Sequence, residues 1–319
     1  MKAAVQRRAG NPEVLVYREV SNPSVGPDEL LLAVEAISIE GGDLINRRTT
    51  TPPRAGWIPG SAASGTVGSV GSAVQDRQIG DRVTAFSQHG SHAELWAVPA
   101  VRSWRVPNSV DMAQAAALTI AFSTAHHCLF ARAGLRHGES VLIQAAAGGI
   151  GLAAVQLAAQ AGAIVLAVTS GRQRIHRIRA LGAYHVIDRC ERDVIADVRR
   201  VTGQRGVDVI IDPVGTTLPA SLGALACEGR LVFVGNAGGG KLGADLLSPM
   251  QSNQTLLGVC MGPMLERLAV RATVDQMLKS LAAGTIQVPI DRSFSLSDAA
   301  AAHQYAETAK PLGRVVMRP

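Results

Sequence analysis

Short apolar runs broken by glycine and proline fill the N-terminal part of the chain, and longer apolar segments alternating between strand-like and helical spacing fill the middle. Glu29 to Ala36, Ala63 to Val70, Gly80 to Phe86 and Ala93 to Val98 read as strands joined by tight turns, which predicts a β-rich domain. From Met112 the spacing turns helical, over Ala113 to Leu118 and again over Phe122 to Ala133, which sets a domain border near Ala121. Strands and helices then alternate: Val141 to Ile143, a helix through Leu152, Val155 and Ala158, then Ala163 to Val168, Tyr184 to Asp188, Val207 to Asp212, a helix over Leu218 to Ala226, and Gly229 to Gly235. Such alternation predicts a doubly wound parallel sheet covered on both faces. After Leu256 to Val259, a helix over Glu266 to Ala283 and the segment Phe294 to Ala299 lead to a last strand, Arg314 to Met317. The expected layout is a β-rich domain over 1–121, completed by 266–319, and an α/β domain over 122–265.

Between the first strand and helix of the α/β part lies Ala145-Ala146-Ala147-Gly148-Gly149-Ile150-Gly151. Small residues there let backbone amides approach a pyrophosphate, at the positive end of the following helix. The dinucleotide fingerprint falls on Ala146, Gly148 and Gly151, with alanine in place of the first glycine, and Gly149 and Ile150 complete the turn. A ligand-free β-α-β crossover has a similar pattern, and the next strand weighs against it. That strand ends in Thr169-Ser170-Gly171-Arg172-Gln173-Arg174, without the acid that accepts the ribose 2′-hydroxyl in an NAD site. Arg172 and Arg174 are candidates for a 2′-phosphate, with Ser170 as a hydroxyl donor and Arg189 as a weaker third cation. The coenzyme expected from the residues is therefore NADP(H). Arg177 and Arg179 continue the run as a solvated helix face. At other strand ends, Val214 is placed to line the ribose, and Gly235 with Asn236 to meet a carboxamide; the bland alternative is a pair of loops that need unusual backbone angles.

The 319 residues are 47% hydrophobic, 18% charged and only 3% aromatic, which describes a globular chain whose core is built from small aliphatic residues. The net charge of +6 comes from 31 Lys and Arg spread along the chain, so nucleic-acid binding is not indicated and attraction of an anionic coenzyme is the simpler use. Cys128, Cys190, Cys227 and Cys260 form no C-x-x-C pair, so reduced thiols and a cytoplasmic setting are expected. No signal-like apolar core opens the chain and no apolar run reaches spanning length, so no membrane partner is expected.

With these segments in order, the chain resembles the zinc-independent, zeta-crystallin-like quinone oxidoreductases of the medium-chain dehydrogenase/reductase superfamily. The resemblance rests on Gly65-Thr66-Val67 with Gly80-Asp81-Arg82-Val83, the Ala145 to Gly151 turn with Gln156, Leu181-Gly182-Ala183, Asp212-Pro213-Val214-Gly215, and Gly235-Asn236. It implies a GroES-like β-rich catalytic domain, a Rossmann domain holding NADPH, and a homodimer formed through the edge of the Rossmann sheet. It also places Thr124 near the nicotinamide end. Zinc-dependent relatives carry a cysteine ligand and a His-Glu pair where this chain has Glu40, Ser61 and Ala62, so no metal is expected. His89 and His92 sit around Gly90 and Ser91 in what reads as a loop, with a surface or core role.

Without a Lewis acid, reduction of an already electrophilic acceptor is the natural chemistry, and the resemblance points to a quinone or an α,β-unsaturated carbonyl. The chain departs from the family at Glu40, often asparagine in relatives, and lacks the tyrosine that follows. Glu40, Asn46 and Arg47 are the acceptor-side candidates; the competing reading makes Glu40 and Asp43 turn residues, with Asp43 as a cap. Two other functions compete: an enoyl-thioester reductase, which shares the fold, and a catalytically silent NADPH-binding or sensor protein.

Overall fold

The structure, a computed structural model, describes residues 1–319. It forms two compact units, Met1–Ser123 with Gly262–Pro319, and Thr124–Met261.

The first unit begins with the antiparallel pair β1 (Lys2–Gln6) and β2 (Leu15–Glu19). It continues through β3 (Glu29–Ser38), α1 (Gly41–Thr49), β4 (Ala62–Val70), β5 (Arg82–Phe86), β6 (Leu95–Pro99), β7 (Ser103–Arg105) and the start of α2 (Met112–His126). Strand β3 shows why it forms: Leu30, Leu32 and Val34 alternate into a core with Val67, Val83, Trp96 and Val98, while Ala33 and Glu35 face outward.

Helix α1 stands where turn residues are expected at Glu40 and Asp43, and it begins with Gly41 and Gly42. Those glycines occupy the first turn, where backbone amides have no intrahelical partner and the helix gains little from a side chain. Asp43 then supplies the cap, its Oδ2 accepting the Glu40 amide at 2.9 Å. Asp43 and Arg47, one turn apart, are buried, and Asn46 faces outward.

The second unit alternates β8 (Ser140–Ile143), α3 (Gly149–Gln160), β9 (Ile164–Thr169), α4 (Ile175–Ala180), β10 (His185–Asp188), α5 (Val194–Val201), β11 (Val207–Asp212), α6 (Leu218–Ala224), β12 (Leu225–Phe233), α7 (Leu247–Gln251) and β13 (Thr255–Gly258). The six strands are parallel in the order β10-β9-β8-β11-β12-β13. The order reverses at β8, so the glycine turn that follows this strand lies at the switch point where such sheets bind ligands. Val141, Leu142 and Ile143 of β8 and Val165 to Val168 of β9 are buried, the unbroken apolar run that a strand covered on both faces requires. The helix expected to reach Ala226 stops at Ala224, because Leu225 begins a strand that pairs with Val207.

The chain then returns to the first unit through α8 (Leu268–Ala282), β14 (Ile290–Ser295), α9 (Ala299–Thr308) and β15 (Arg314–Arg318). Strand β15 pairs antiparallel with β3 and parallel with β14, giving a seven-stranded sheet in the order β14-β15-β3-β4-β5-β7, with β6 also on β3. The sequence reading missed β14 because this edge strand carries Asp291, Arg292 and Ser293 exposed in a row and shows no apolar alternation.

Candidate functional site

The phosphate turn is held by the sheet on either side of it. The Ala146 amide donates to the Val168 carbonyl at 2.8 Å and the Gln144 amide to Ile211 at 3.0 Å, which ties the turn to β9 and β11. The left-handed residue is Ala145 (φ 48°), one position before the alanine that replaces the first fingerprint glycine. Ala146 needs no such freedom, and its methyl is fully buried. Gly151 has a different constraint: a β-carbon there would overlap the Ala145 carbonyl oxygen and the Ala146 backbone. Gly148 is the extended residue before α3, and no side chain caps the helix. The N–H groups of its first turn, from Gly149, Ile150 and Gly151, are left without a side-chain partner at the positive end of the helix, a position that can take an anion.

At the end of β9 the 2′-phosphate candidates separate. Arg174 is buried, and its guanidinium donates to the Ser170 carbonyl and, at 3.4 Å, to Ser170 Oγ. Arg172 is exposed and pairs with Glu191 at 2.6 Å. Arg189 is exposed, and its amide donates to the Thr169 carbonyl at 3.0 Å, which brings it alongside the Ser170 loop. Asp188, which the sequence reading did not single out, organises the region. Its Oδ1 accepts the Gly171 and Cys190 amides, each at 3.1 Å, and these hydrogen bonds hold its carboxyl below the usual range. A strand-end aspartate flanked by loop residues is the signal that could have revealed it. Thr169 Oγ1, at the end of β9, is buried without a partner.

Val214, Gly235 and Asn236 come together. The Ala237 and Gly238 amides donate to the Pro213 and Val214 carbonyls at 3.2 and 2.9 Å, lacing one loop onto the other. Buried Asp212 fixes the first loop by accepting from the Val214 and Gly215 amides, Thr217 Oγ1 and Ser221 Oγ at 2.7 to 3.1 Å. Asn236 donates to the Gly240 carbonyl at 2.8 Å, and its Oδ1 is buried without a partner. Thr124 is buried on α2.

The residues fit a dinucleotide on grounds internal to this unit. They offer an uncapped helix start behind a turn that admits no side chain at Gly151, and orphaned acceptor and hydroxyl atoms at Asn236 and Thr169.

The acceptor-side candidates lie in the first unit and do not converge. Glu40 is buried, accepts from Ser38 Oγ at 2.8 Å and pairs with Arg314 of β15. Asp43 accepts from Ser61 Oγ at 2.7 Å, and burial pushes its carboxyl up to about 7, with the neighbouring Glu40 charge adding to the shift. Arg47 is fully buried, pairs with Glu307 at 2.7 Å and donates to the Gly10 carbonyl at 3.2 Å. A guanidinium so placed ties α1 to α9, and the expectation that Arg47 meets an acceptor oxygen gives way to that structural role. Asn46, the residue before Arg47 on the same helix, is exposed.

His92 is buried and its Nε2 lies 2.9 Å from His303 Nε2. One ring donates and the other accepts, so the accepting ring is neutral. Burial pushes His92 down to about 3 and His303 well below its ordinary value, the latter helped by His92 and Arg47. Gly60, with φ 91°, packs so closely on His92 that a β-carbon would overlap the ring. No group of three or more His, Cys, Asp or Glu is placed to hold a metal ion.

The Zinc-binding dehydrogenase family matches residues 149–283, and the Alcohol dehydrogenase GroES-like domain matches residues 26–108. A 2-haloacrylate reductase from Burkholderia sp is 31% identical, with 99% of this chain and 98% of that protein covered. The chain belongs to the medium-chain dehydrogenase/reductase superfamily. Within it, the similarity runs to the quinone oxidoreductases. The Pseudomonas aeruginosa quinone oxidoreductase is 32% identical over 97% of both chains. The structure of Escherichia coli quinone oxidoreductase complexed with NADPH superposes with a TM-score of 0.95 at 28% identity, covering 100% of both chains. The GroES-like domain and Rossmann sheet of this superfamily are the two sheets described above. No helix is long and apolar enough to cross a membrane.

Proposed function

We propose that this chain is an NADPH-dependent reductase of quinones or α,β-unsaturated carbonyl compounds. The observation that carries the coenzyme half is the second strand's end, where Arg172, Arg174 and Ser170 stand beside a phosphate turn with an uncapped helix behind it. Bound NADPH supplies a hydride, and a quinone or conjugated alkene takes it into an extended π-system, the proton coming from solvent.

The chain's own part is binding and orientation. Amides of Gly149, Ile150 and Gly151 receive the pyrophosphate. Arg172 and Arg174, with Arg189 and Ser170 beside them, receive the 2′-phosphate. Val214 and the Gly235-Asn236 loop position the nicotinamide end, and Thr124 adds a hydroxyl there. On the acceptor side Asn46 offers a free amide, while Glu40 with Asp43 shapes the head of α1. The name of the haloacrylate reductase, which specifies a conjugated alkene, supports the unsaturated half of the acceptor class.

The edge strand β13 with exposed Leu256, and exposed Leu246, Leu247 and Met250 at the start of and along α7, suits a second copy of this chain, and a homodimer through this edge is part of the reading. A cytoplasmic setting completes it, with Cys190, Cys227 and Cys260 exposed and unpaired.

The test is a panel of quinones, short enones, 2-haloacrylates and a long-chain enoyl thioester, each offered with NADPH and with NADH. Acceptor-dependent NADPH oxidation by the quinones or short alkenes is expected. A thioester favoured by orders of magnitude would assign the chain to enoyl-thioester reduction, and tight NADPH binding with no turnover to a sensor role.

A further inference from the structure

The pair that Arg172 makes with Glu191 is out of place in a site built to receive a phosphate. Arg172 has its side chain 78% accessible, against the buried Arg174, and Glu191 is 42% accessible, so the pair lies at the protein surface. They stand on two loops clamped to one another: Asp188 takes the Gly171 amide from the Arg172 side and the Cys190 amide from the Glu191 side. Backbone anchoring leaves the side chains as the mobile parts. Beneath the pair a cavity of about 440 Å³, lined by Ile175, His176, Arg179 and Val186, gives either side chain room to turn.

Arg174, buried and donating to Ser170, meets the phosphate from a fixed position, whereas Arg172 is held by a carboxylate. Arg172 therefore has two anionic partners available, one intramolecular and always present, the other brought by the coenzyme. Glu191 holds Arg172 through Nε at 2.6 Å, and a guanidinium held there is not free to turn its donors onto a 2′-phosphate as well.

We propose that Glu191 competes with the coenzyme's 2′-phosphate for Arg172, and so sets how strongly the protein prefers NADPH over NADH. The inference rests on the NADPH reading and adds a specificity-setting residue to it. With NADH, which has no 2′-phosphate, Arg172 stays with Glu191 and neutralises a carboxylate that otherwise stands near the adenosine ribose. With NADPH, Arg172 exchanges partners and Glu191 is released to water. The exchange costs little, since an exposed pair is weak, so the device trims the preference and does not abolish it.

Glu191→Gln keeps the shape of the side chain and removes its charge. It should tighten NADPH binding by about two- to five-fold, the range an exposed pair allows, and leave NADH binding within about two-fold. The dissociation constants are read by coenzyme fluorescence at one fixed salt concentration, so the result does not depend on turnover. The same substitution is then made in an Arg172→Gln background. There it should have no effect on the NADPH constant, because Glu191 acts through Arg172.

An equal gain in both backgrounds would mean simple repulsion between Glu191 and the phosphate, and would overturn the exchange. So would a wild-type preference for NADPH that Glu191→Gln leaves unchanged. Equal affinity of the wild type for the two coenzymes is a separate result: it removes the NADPH reading itself, and the inference with it.

Discussion

The heads of two helices, α3 in the Rossmann unit and α1 in the GroES-like unit, treat polar groups in opposite ways. At α3 nothing caps the first turn, and small residues keep its amides open. At α1 the polar groups are engaged with each other: Asp43 caps the Glu40 amide, Ser61 donates to Asp43, Ser38 donates to Glu40, and Arg314 pairs with Glu40. Open donors in contact with water cost little until an anion displaces that water. Buried charges must be matched at once, because an unpaired one is expensive. A ligand site and a structural cluster can therefore hold similar residue types and differ only in what is left unmet.

The largest effect is expected at Gly151. A β-branched side chain there must displace the Ala145 carbonyl, so Gly151→Val should weaken NADPH binding by at least about a hundred-fold, roughly 2.7 kcal/mol. Fluorescence titration measures this, and an unchanged far-UV spectrum shows that the fold survives.

At α1 the corresponding change is in stability. Glu40→Ala leaves the guanidinium of Arg314 without its carboxylate, which should cost about 3 kcal/mol in denaturant unfolding. An apolar double replacement, Glu40→Leu with Arg314→Met, should recover most of that loss. If Glu40→Ala costs under about 1 kcal/mol, the cluster is not a matched buried pair and the contrast between the two helix heads disappears.

Arg174 supplies the next effect. Arg174→Ala should weaken NADPH binding by about ten-fold, the value of one hydrogen bond to a charged group, and change NADH binding much less. Equal losses for both coenzymes would show that Arg174 only holds the Ser170 loop.

Stability against pH tests the buried ionisable groups of the first unit. His92 and His303 titrate below 6.5 in the folded chain, so their contribution is fully present above that pH and is lost as pH falls toward about 3. Asp43 has the opposite sign: its carboxyl is raised from 3.8 to about 7, so its contribution is present below 3.8 and is lost as pH rises through about 7. Between about pH 4 and 6.5 the two rings outweigh the single acid, and stability should rise with pH. His92→Asn should lower that slope by about 1.4 kcal/mol per pH unit, one proton's worth. An unchanged slope would mean that His92 is not held neutral.

The smallest effect belongs to Asn46. Exposed and without a buried partner group, its replacement by alanine should change stability by less than about 0.5 kcal/mol. A rise in KM for the acceptor alone would support its place on the acceptor side, and unchanged KM values would remove it.

The Rossmann half was largely legible because its signals are local: the apolar runs of β8 and β9, the small residues from Ala145 to Gly151, and the missing acid after Thr169. The acceptor half was not, because its contacts are made between distant segments. Nothing near Glu40 announces Arg314, nothing near Arg47 announces Glu307, and nothing near His92 announces His303. Helix α1 was hidden by Gly41 and Gly42, and β14 by its charged exposed face. On the Rossmann side the same limit applied to Glu191, whose pairing with Arg172 depends on a loop carried by the next strand.

A titration of the wild-type protein with NADPH and with NADH, at one salt concentration and read by coenzyme fluorescence, bears most directly on the coenzyme assignment from which the reductase function follows. NADPH is expected to bind at least about ten-fold more tightly, the contribution of charge-assisted hydrogen bonds to the 2′-phosphate. Equal affinities, or tighter binding of NADH, would contradict it.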